Sequence, residues 1–413
     1  MIYRISFLTI LFTLAFTLAI SLSVTNTANA VIDTKDMGVA KYGALEVTFD
    51  YAPLRVSPNV DAKRFAHLRK GITVYADQKY KDFYRVDLGG NKYYWIETKY
   101  VESQAVINEK FIPAIEKITF KENKHSYSAK IPMKDFQNAY DTKESSQGVA
   151  FTFYDAGYSP FKTRLEGRTR ETSVIDNGNN SFTIKYALNK PLVGYGVERE
   201  DNALILNVAK VPKINKNQPL KNITVAVDAG HGGKDFGACV KRKDGITIAE
   251  KTVNLQIAKR VKKELEKNGA KVVMTRTKDK DTDLYERVET AKEENAMILL
   301  SIHQNSLSKG QDVNKKHGVG MYYYNDFALP LAKSLQDELL KVTGFRDDKV
   351  NFASFALNRP TEMVSVLVEC GYLIYPPELE KLTNKKFQKE LAKGIRIGVE
   401  NYLLTLKTNG NGK

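Results

Sequence analysis

The stretch Ile223-Thr-Val-Ala-Val-Asp-Ala-Gly-His-Gly-Gly233 joins a short apolar run to a histidine in a glycine-rich turn. The run over 223–228 predicts a buried strand, and the glycines beside His231 allow the backbone to pass close to a bound ion or substrate. The segment that follows, 249–268, predicts an amphipathic helix because its apolar residues recur at helical spacing, and Gly269 closes it. A strand, a glycine-rich turn and a helix in this order indicate an α/β domain.

Strand and helix patterns continue to alternate along the rest of the chain. We predict further strands at 271–275, 297–302 and 364–368, and helices at 283–295, 328–341 and 384–404. This alternation predicts one α/β domain over 223–404, with a mostly parallel sheet wrapped by helices, and a polar tail over 405–413.

The first half of the chain has a different pattern. Residues 44–103 and 108–209 hold short runs rich in Val, Tyr and Phe that are separated by Gly, Pro and Asn. These runs predict N-terminal all-β modules, a small β-barrel followed by a β-sandwich-like region. The segment 210–222 contains four Lys, two Pro and no acidic residue, and it predicts a solvated linker. The chain is therefore expected to be multidomain.

Composition and charge narrow the class of protein. With 413 residues, of which 42% are hydrophobic, the chain has enough apolar material for two or three buried cores. That composition excludes a collagen-like, low-complexity or wholly disordered protein. Lys and Arg total 63 against 48 acidic residues, a net charge of +15, which favours an anionic partner. Two cysteines are too few for a disulfide scaffold.

Residues 1–30 predict a cleaved export signal. Arg4 precedes an apolar core over 5–20, and Ala28-Asn29-Ala30 has the small residues that a signal peptidase requires. An uncleaved membrane anchor is the alternative, but the apolar run is shorter than the ~20 residues that a span needs. We therefore expect cleavage after Ala30, export of residues 31–413, and no stable membrane span afterwards. Because nucleic acid is scarce outside the cytoplasm, we expect no nucleic-acid partner.

Four ionisable residues lie at predicted strand ends or at a helix start: His231, His303, Glu369 and Glu250. Ligands bind beyond the carboxyl ends of the strands in open α/β sheets, so the three residues that follow strands are placed for function. Two histidines and a carboxylate form a catalytic zinc set that leaves one position for water or substrate. A second carboxylate can take the proton of that water and return it to a leaving amine. The residues alone do not say which carboxylate has which role.

Each of these residues also has a structural explanation when it is taken singly. Glu250 favours the positive end of its helix dipole, a single histidine in a glycine-rich loop is often structural, and Glu369 can be held in a salt bridge. Their coincidence at matching strand ends favours the functional interpretation. His67, His125 and His317 match no ligand pattern and are expected to be surface or structural residues.

Residues 223–404 resemble the zinc-dependent N-acetylmuramoyl-L-alanine amidases of bacterial cell walls. The resemblance rests on motifs in the family's order: Val227-Asp-Ala-Gly-His-Gly-Gly-Lys-Asp-Phe-Gly-Ala, Glu250-Lys-Thr-Val-Asn-Leu, Val273-Met-Thr-Arg, Ser301-Ile-His-Gln-Asn and Leu367-Val-Glu-Cys-Gly-Tyr. It implies that His231, Glu250 and His303 bind one zinc ion and that Glu369 is the catalytic acid/base. It also implies a peptidoglycan hydrolase that cleaves the amide bond between N-acetylmuramic acid and L-alanine of the stem peptide by zinc-activated water. The fold it implies is a mixed sheet wrapped by helices.

A few positions depart from that family pattern. Ala229 and Gln304 stand where the family usually has Pro and Ala, and the loop after His231 is longer, with basic residues at 241–243. None of these departures removes a candidate ligand. The stretch 307–317, where some relatives insert a regulatory helix, is short and polar, so we expect no intramolecular plug.

The two β regions carry further resemblances. Residues 45–103 resemble the bacterial Src-homology-3-like domain, a β-barrel that binds wall material, through Leu54-Arg-Val-Ser-Pro, Leu68-Arg-Lys-Gly, Tyr84-Arg-Val, Tyr94-Trp-Ile and Tyr100-Val. An inert spacer is the alternative for this region. Residues 108–209 resemble the β-sandwich targeting domains found before some of these amidases, mainly through Gly194-Tyr-Gly and Ala203-Leu-Ile-Leu-Asn-Val.

The combined interpretation is a monomeric, exported wall amidase of the periplasm or the cell wall. Its expected partners are peptidoglycan, as substrate, and anionic wall polymers. Two alternatives remain: a zinc peptidase that cuts within the stem peptide, and a non-catalytic wall-binding protein. The presence of all four reactive residues argues against the second. Cys239 and Cys370 both flank the expected metal site, and either free thiols or a disulfide fit the sequence.

Overall fold

A computed structural model of the chain describes residues 42–68, 70–89, 91–107, 110, 112–132, 139–200, 202–307 and 310–408. The predicted export signal over 1–30, with its cleavage site, lies outside these residues. The described residues form two compact units, the first made of those within 42–110 and residue 139 and the second of those within 112–132 and 140–408. Within the described part of the chain, no helix is long and apolar enough to cross a membrane.

The first unit is built from strands. They are β1 (Tyr42–Val47), β2 (Ala52–Arg55), β3 (Arg64–Leu68), β4 (Thr73–Tyr80), β5 (Phe83–Asp87), β6 (Tyr93–Glu97) and β7 (Val101–Ile107), with a 3₁₀ turn at Thr98–Tyr100. They form one antiparallel sheet in the order β3-β2-β6-β5-β4-β1-β7. Leu54, Val86 and Ile96 lie in its core and are at most 1% exposed. The short aromatic and β-branched runs of this region thus form strands, as predicted.

The second unit begins with a two-sheet region. Its strands are β8 (Lys117–Glu122), β9 (Ser126–Pro132), β10 (Tyr140–Ser145), β11 (Gly148–Phe153), β12 (Arg164–Glu166), β13 (Thr172–Gly178), β14 (Ser181–Ala187), β15 (Tyr195–Glu200) and β16 (Ala203–Ala209). One sheet has the order β12-β8-β9-β16-β15 and the other β10-β11-β14-β13. Tyr127 of the first sheet contacts Tyr186 of the second, with 6.3 Å between ring centroids. The two sheets therefore pack face to face as a sandwich.

Residues 210–222 connect the sandwich to the α/β part without a helix or strand. The prediction of a solvated linker is wrong for part of this segment. Ile214 and Leu220 are 6% and 0% exposed, and the amide of Lys210 donates to the carbonyl of His125 at 2.8 Å. The many lysines suggest solvent on all sides, but the two interspersed apolar side chains are buried because they find apolar surface to pack against.

The sandwich and the α/β part share an interface within the second unit. The amide of Tyr195 donates to the carbonyl of Thr361 at 2.7 Å, and the Tyr195 ring meets Phe327 edge-on at 6.1 Å. Glu144 accepts from the amide of Asp326 at 2.5 Å and from the hydroxyl of Tyr195 at 3.2 Å. Two regions that the sequence predicts as separate modules are therefore packed together.

Among the described residues, the α-helices lie in the α/β part. Its strands are β17 (Thr224–Ala229), β18 (Cys239–Lys241), β19 (Thr247–Ala249), β20 (Lys271–Met274), β21 (Ile298–Asn305), β22 (Val319–Tyr323), β23 (Asp347–Phe352) and β24 (Val364–Tyr372). Its helices are α1 (Glu250–Lys267), α2 (Leu284–Glu293), α3 (Leu329–Thr343), α4 (Pro376–Leu382) and α5 (Lys385–Thr408), with a 3₁₀ turn at Asp326–Ala328. Helix α1 buries the predicted apolar stripe, which consists of Val253, Ile257, Val261 and Leu265.

The central sheet has six strands in the order β20-β17-β21-β24-β22-β23. Neighbouring strands run parallel from β20 to β24. Strand β22 runs antiparallel to β24 and parallel to β23. The sheet is therefore mixed. The prediction of a mostly parallel sheet holds for the four consecutive strands from β20 to β24 but not for the whole sheet. Strands β18 and β19 form a separate hairpin.

The C-terminal helix is longer than the sequence predicts. Helix α5 continues to Thr408, beyond the expected end at Leu404. Leu406 is only 2% exposed, so the first part of the predicted polar tail over 405–413 belongs to the packed helix. The burial of one apolar side chain near the end extends the helix because packing, more than propensity, stabilises helices in proteins.

Candidate active site

His231 follows β17 in a tight turn where its backbone φ is 62°. Positive φ is uncommon for a residue other than glycine, so surrounding contacts must hold this turn. Ring atom Nε2 of His231 lies 3.2 Å from Oε2 of Glu250, and Nδ1 lies 2.7 Å from Oδ2 of Asp235. The imidazole is thus fixed between two carboxylates.

Glu250 is the first residue of α1 and is 3% exposed. Its Oε1 lies 3.1 Å from Nδ1 of His303 and accepts from the amide of Gln304 at 3.0 Å. Its Oε2 accepts from the amide of Ala238 at 2.9 Å. A carboxylate placed only to favour the helix dipole would not require these partners, so the contacts favour a functional role.

The donor atoms of His231, Glu250 and His303 all lie within 4.8 Å of one another. Two ligands of a tetrahedral zinc ion, each ~2.0–2.1 Å from the metal, are separated by about 3.3 Å. Nε2 of His231 lies 3.2 Å from Oε2 of Glu250 and Nδ1 of His303 lies 3.1 Å from Oε1, so each imidazole is close to that spacing from one carboxylate oxygen. The structure therefore brings the three predicted ligands together, and two imidazoles with one carboxylate are a donor set that suits zinc.

Glu250 favours its charged form, which is the form that binds a metal. Burial by itself would raise the pKa of this carboxyl group. Hydrogen bonds and charges from His231 and His303 outweigh burial and hold the pKa of Glu250 well below its usual range. The two imidazoles thus compensate for placing a carboxylate in a buried position.

Glu369 lies in β24 and is paired with His303 of β21 across the sheet. The sequence predicts that both residues end their strands, but β21 continues to Asn305 and β24 to Tyr372. The pairing becomes irregular between His303 and Asn305, where the polar side chains of the site begin. The predicted strand ends are therefore wrong by a few residues, while the predicted proximity of the two side chains is correct.

The environment of Glu369 differs from that of Glu250. Its Oε2 is buried and has no hydrogen-bond partner among the described residues. Burial raises the pKa of Glu369 well above its usual range, and the charges of Glu250 and Asp348 raise it further. Glu369 thus holds a proton more strongly than an ordinary glutamate does. Two carboxyl groups whose pKa values are driven apart are suited to two different roles.

Two buried arginines hold the turn that carries His231. Arg276, 1% exposed, donates to the carbonyls of Ala229 and Gly230 at 2.7 and 3.0 Å. Arg287, 3% exposed, donates to the carbonyls of Ala229 and His231 at 2.8 and 2.9 Å. These bonds satisfy three consecutive buried carbonyls and stabilise the strained backbone.

The charge of Arg287 is balanced by Asp228, which is 1% exposed. Its carboxylate lies 2.9 Å from Nη1 of Arg287 and accepts from the hydroxyls of Thr275 and Ser301 at 2.5 and 2.6 Å. Burial would raise the pKa of Asp228, but Arg287 and the two hydroxyls hold it below its usual value. No local pattern predicts these supporting residues, because they meet only through the fold of neighbouring strands and a helix.

Two glycines make room for the side chains of the site. A Cβ atom at Gly230 would lie 2.2 Å from Cε1 of His303. At Gly237, where φ is 62°, it would lie 2.5 Å from Oε2 of Glu250. The sequence predicts that glycines near His231 admit an ion or substrate, and the structure adds that they admit the neighbouring ligand side chains.

The remaining candidates lie outside the cluster. Cys239 is exposed and Cys370 is buried, both as free thiols, so the disulfide alternative is wrong. His317 bonds to Glu378 at 2.8 Å and stacks on Tyr375 with 4.1 Å between ring centroids. These contacts give His317 the structural role that the sequence predicts.

The departures from the family pattern leave the cluster intact. Gln304 donates from its side chain to Asn254 at 3.3 Å while its amide bonds to Glu250. The basic residues 241–243 lie in the exposed hairpin of β18 and β19. Among the described residues of 307–317 there is no helix.

Comparison with known proteins places the α/β part in a family. The sequence profile of the N-acetylmuramoyl-L-alanine amidases matches residues 225–401. The chain is 31% identical over 201 residues to the uncharacterized protein YqiI of Bacillus subtilis, which covers 48% of this chain and 93% of YqiI. It is 31% identical over 203 residues to the germination-specific N-acetylmuramoyl-L-alanine amidase of Bacillus subtilis, which covers 45% of this chain and 81% of that relative. The chain belongs to the N-acetylmuramoyl-L-alanine amidase family.

The chain is also similar to a longer relative and to a solved structure. The N-acetylmuramoyl-L-alanine amidase LytC of Bacillus subtilis is 30% identical over 244 residues, 58% of this chain and 47% of LytC. The chain thus spans about half the length of that relative. The catalytic domain of the amidase CwlV from Bacillus (Paenibacillus) polymyxa var. colistinus is 34% identical, with a TM-score of 0.41, over 45% of this chain and 99% of that chain.

Proposed function

We propose that this protein hydrolyses the amide bond between the lactyl group of N-acetylmuramic acid and L-alanine of the stem peptide in bacterial peptidoglycan. The observation that carries the proposal is the cluster of His231, Glu250 and His303 with Glu369 on the neighbouring strand. Membership of the N-acetylmuramoyl-L-alanine amidase family supports the same reaction.

His231, Glu250 and His303 are proposed to hold one zinc ion. A zinc ion, when bound, supplies Lewis-acid polarisation of a carbonyl group and lowers the pKa of water. With a metal bound, Asp235 would accept a hydrogen bond from Nδ1–H of His231, which leaves Nε2, the atom beside Glu250, to bind the metal. Glu250 is already charged, and each of its carboxylate oxygens lies next to one imidazole nitrogen. The three ligands therefore require little rearrangement to bind a metal ion.

Glu369 is proposed to act as the acid/base. Its raised pKa makes the carboxylate a stronger proton acceptor than an ordinary glutamate, which suits a group that takes up a proton and passes it on. In the proposed reaction Glu369 starts as the carboxylate, takes one proton from the attacking water and passes that proton to the departing amine of L-alanine. The buried Oε2 of Glu369 forms no hydrogen bond with any described residue, so it is available to water or substrate.

The remaining parts of the chain are proposed to bring the enzyme to its substrate. Residues 1–30 would direct export, the first unit would bind wall material as a Src-homology-3-like barrel, and the sandwich would act as a targeting region. The net charge of +15 suits a wall that carries anionic polymers.

Digestion of purified peptidoglycan followed by mass spectrometry tests the proposal. The expected products are stem peptides with free L-alanine amino termini, with no new reducing sugar ends. Shorter peptides released while L-alanine stays attached to muramic acid would show a peptidase instead. If no peptide is released at all, the result would favour the alternative of a non-catalytic wall-binding protein.

A further inference from the structure

An exposed pair of aromatic side chains lies beside the candidate active site. Tyr322 of β22 and Phe355 pack with 5.5 Å between ring centroids and 64° between ring planes. Phe355 is 44% exposed, and Tyr322 is partly exposed. Aromatic surface left open next to a polar catalytic cluster is a feature of binding sites.

Strand pairing places Tyr322 close to the acid/base. Strand β22 runs antiparallel to β24, with Gly320 opposite Glu369 and Tyr322 opposite Leu367. Side chains alternate between the faces of a sheet, so Tyr322 lies on the same face as Glu369. Gly320, which lies opposite Glu369, has no side chain that could separate Tyr322 from Glu369. The hydroxyl of Tyr322 also hydrogen-bonds to Asn305, at the end of β21.

The charges around the site distinguish its two sides. The side of the aromatic pair holds the carboxyl groups of Glu369 and Asp348, with Lys349 next to Asp348 on β23. The loop between β17 and α1 lies on the other side, because β17 and β22 are on opposite sides of β21 and β24 in the sheet. It carries four basic residues, at 234 and 241–243, against two acidic ones, Asp235 and Asp244. A stem peptide carries several carboxylates, so the excess of positive charge in that loop attracts it.

The chemistry of the pair fits a sugar. A pyranose ring in the glycan strand is uncharged and has a face of polarised C–H groups. The face of an aromatic ring carries partial negative charge, and it attracts such groups while covering apolar surface. The acidic neighbours do not oppose the binding of an uncharged ring.

We propose that Tyr322 and Phe355 form a subsite for a sugar ring of the glycan strand next to the scissile amide. The stem peptide then extends across the opposite, basic side of the cluster. This subsite rests on the proposed function, since it assumes that the amide bond between glycan and peptide is the bond cleaved.

Two soluble substrates test the subsite with the full-length exported chain. One is a disaccharide-peptide, and the other is the same peptide carrying only a lactyl group. Phe355→Ala is expected to reduce the preference for the disaccharide-peptide, expressed as the ratio of kcat/KM values, about tenfold through a higher KM. An unchanged ratio overturns the subsite.

Phe352→Ala is the matched control. Phe352 is 64% exposed, but it contacts Tyr323 and Tyr324 and not Tyr322. This variant removes an exposed ring of the same size from the same region, and it is expected to keep the preference of the parent protein. Equal loss of preference in both variants would overturn the subsite, because the effect would then not belong to the Tyr322–Phe355 pair.

Binding without turnover separates the subsite from the proposed function. In the Glu369→Gln background, a neutral tetrasaccharide of N-acetylglucosamine is expected to bind about tenfold more weakly after Phe355→Ala and equally after Phe352→Ala. If the parent hydrolyses neither substrate while this difference remains, the reaction is wrong and the subsite stands. If Phe355→Ala binds the tetrasaccharide as the parent does, the subsite is wrong whatever the activity.

Discussion

At the scale of single residues, the two carboxyl groups of the site show how environment separates the roles of one side chain. Glu250 faces two imidazoles, and its pKa is held well below its usual range. Glu369 is buried beside other acidic groups, and its pKa is raised. The first is therefore suited to hold a cation and the second to hold a proton.

Zinc retention is expected to distinguish the ligands from the acid/base. His303→Ala removes a ligand, so zinc and activity are expected to be lost together. Glu369→Gln leaves all three ligands in place, so zinc is expected to stay near stoichiometric while turnover falls ~10²-fold or more. Metal analysis of the purified variants, together with turnover, checks both. Turnover of Glu369→Gln at the parent rate would refute the role assigned to Glu369.

Asp235 is expected to tune the site through His231. Asp235→Asn weakens the bond that orients the imidazole, and zinc affinity is expected to fall about 10–100-fold. Asp244→Asn is the control, because Asp244 is an exposed carboxylate in the same loop that pairs with Arg242 at 3.0 Å. Competition with a chelator measures both affinities. Equal affinities in the two variants would show that Asp235 does not position His231.

At the scale of elements, one buried carboxylate joins several parts of the α/β fold. Asp228 lies in β17 and bonds to Thr275 after β20, Ser301 in β21 and Arg287 in α2. Arg287 in turn bonds to the carbonyl of His231. The position of the first candidate ligand therefore depends on the packing of these elements.

Asp228→Asn is expected to destabilise the fold because Arg287 would stay buried without its counter-charge. The expected loss is ~3–5 kcal/mol in the free energy of unfolding, against about 1 kcal/mol for Ser301→Ala, which removes a single hydroxyl. Because the folded pKa of Asp228 is lowered from 3.8, its contribution is present above that pH and is lost as the pH falls through the folded pKa. Denaturant unfolding measures both variants, and equal small losses would contradict this account.

The elements themselves were predictable to different degrees. The predicted helix over 283–295 is confirmed as α2, and Asp283 caps its start by accepting from the amides of Tyr285 and Glu286 at 2.8 and 3.4 Å. Strand β23, Asp347–Phe352, is polar and half exposed at the sheet edge, so no apolar run marks it. Buried central strands are visible in a sequence, while edge strands depend on the neighbour that pairs with them.

At the scale of the whole molecule, Glu144 connects the sandwich to the α/β part through Asp326 and Tyr195. Burial raises the pKa of Glu144 to about 7, although these two hydrogen bonds act to lower it. A carboxyl group of this kind stabilises the fold fully below its unfolded pKa of 4.5. Its contribution is lost as the pH rises through the folded value.

The free energy of unfolding is therefore expected to fall by roughly 2 kcal/mol between about pH 5 and about pH 8 through Glu144. Glu144→Gln is neutral at every pH, so it is expected to remove this part of the pH dependence. Thermal or denaturant unfolding of both proteins across this range measures the difference. Identical pH profiles would show that the interface is insensitive to the charge of Glu144.

The sequence by itself determined the α/β class of the second half, the all-β class of the first, and the four residues of the candidate site. These features are legible because periodicity and residue chemistry act within a single strand, helix or turn. Only the tertiary structure decided that both oxygens of Glu250 face the imidazoles, and that Arg276 and Arg287 hold the turn of His231. The packing of the sandwich against the α/β part is likewise seen only in the tertiary structure. Such contacts join residues far apart in the chain, and their energies depend on burial that no local pattern records.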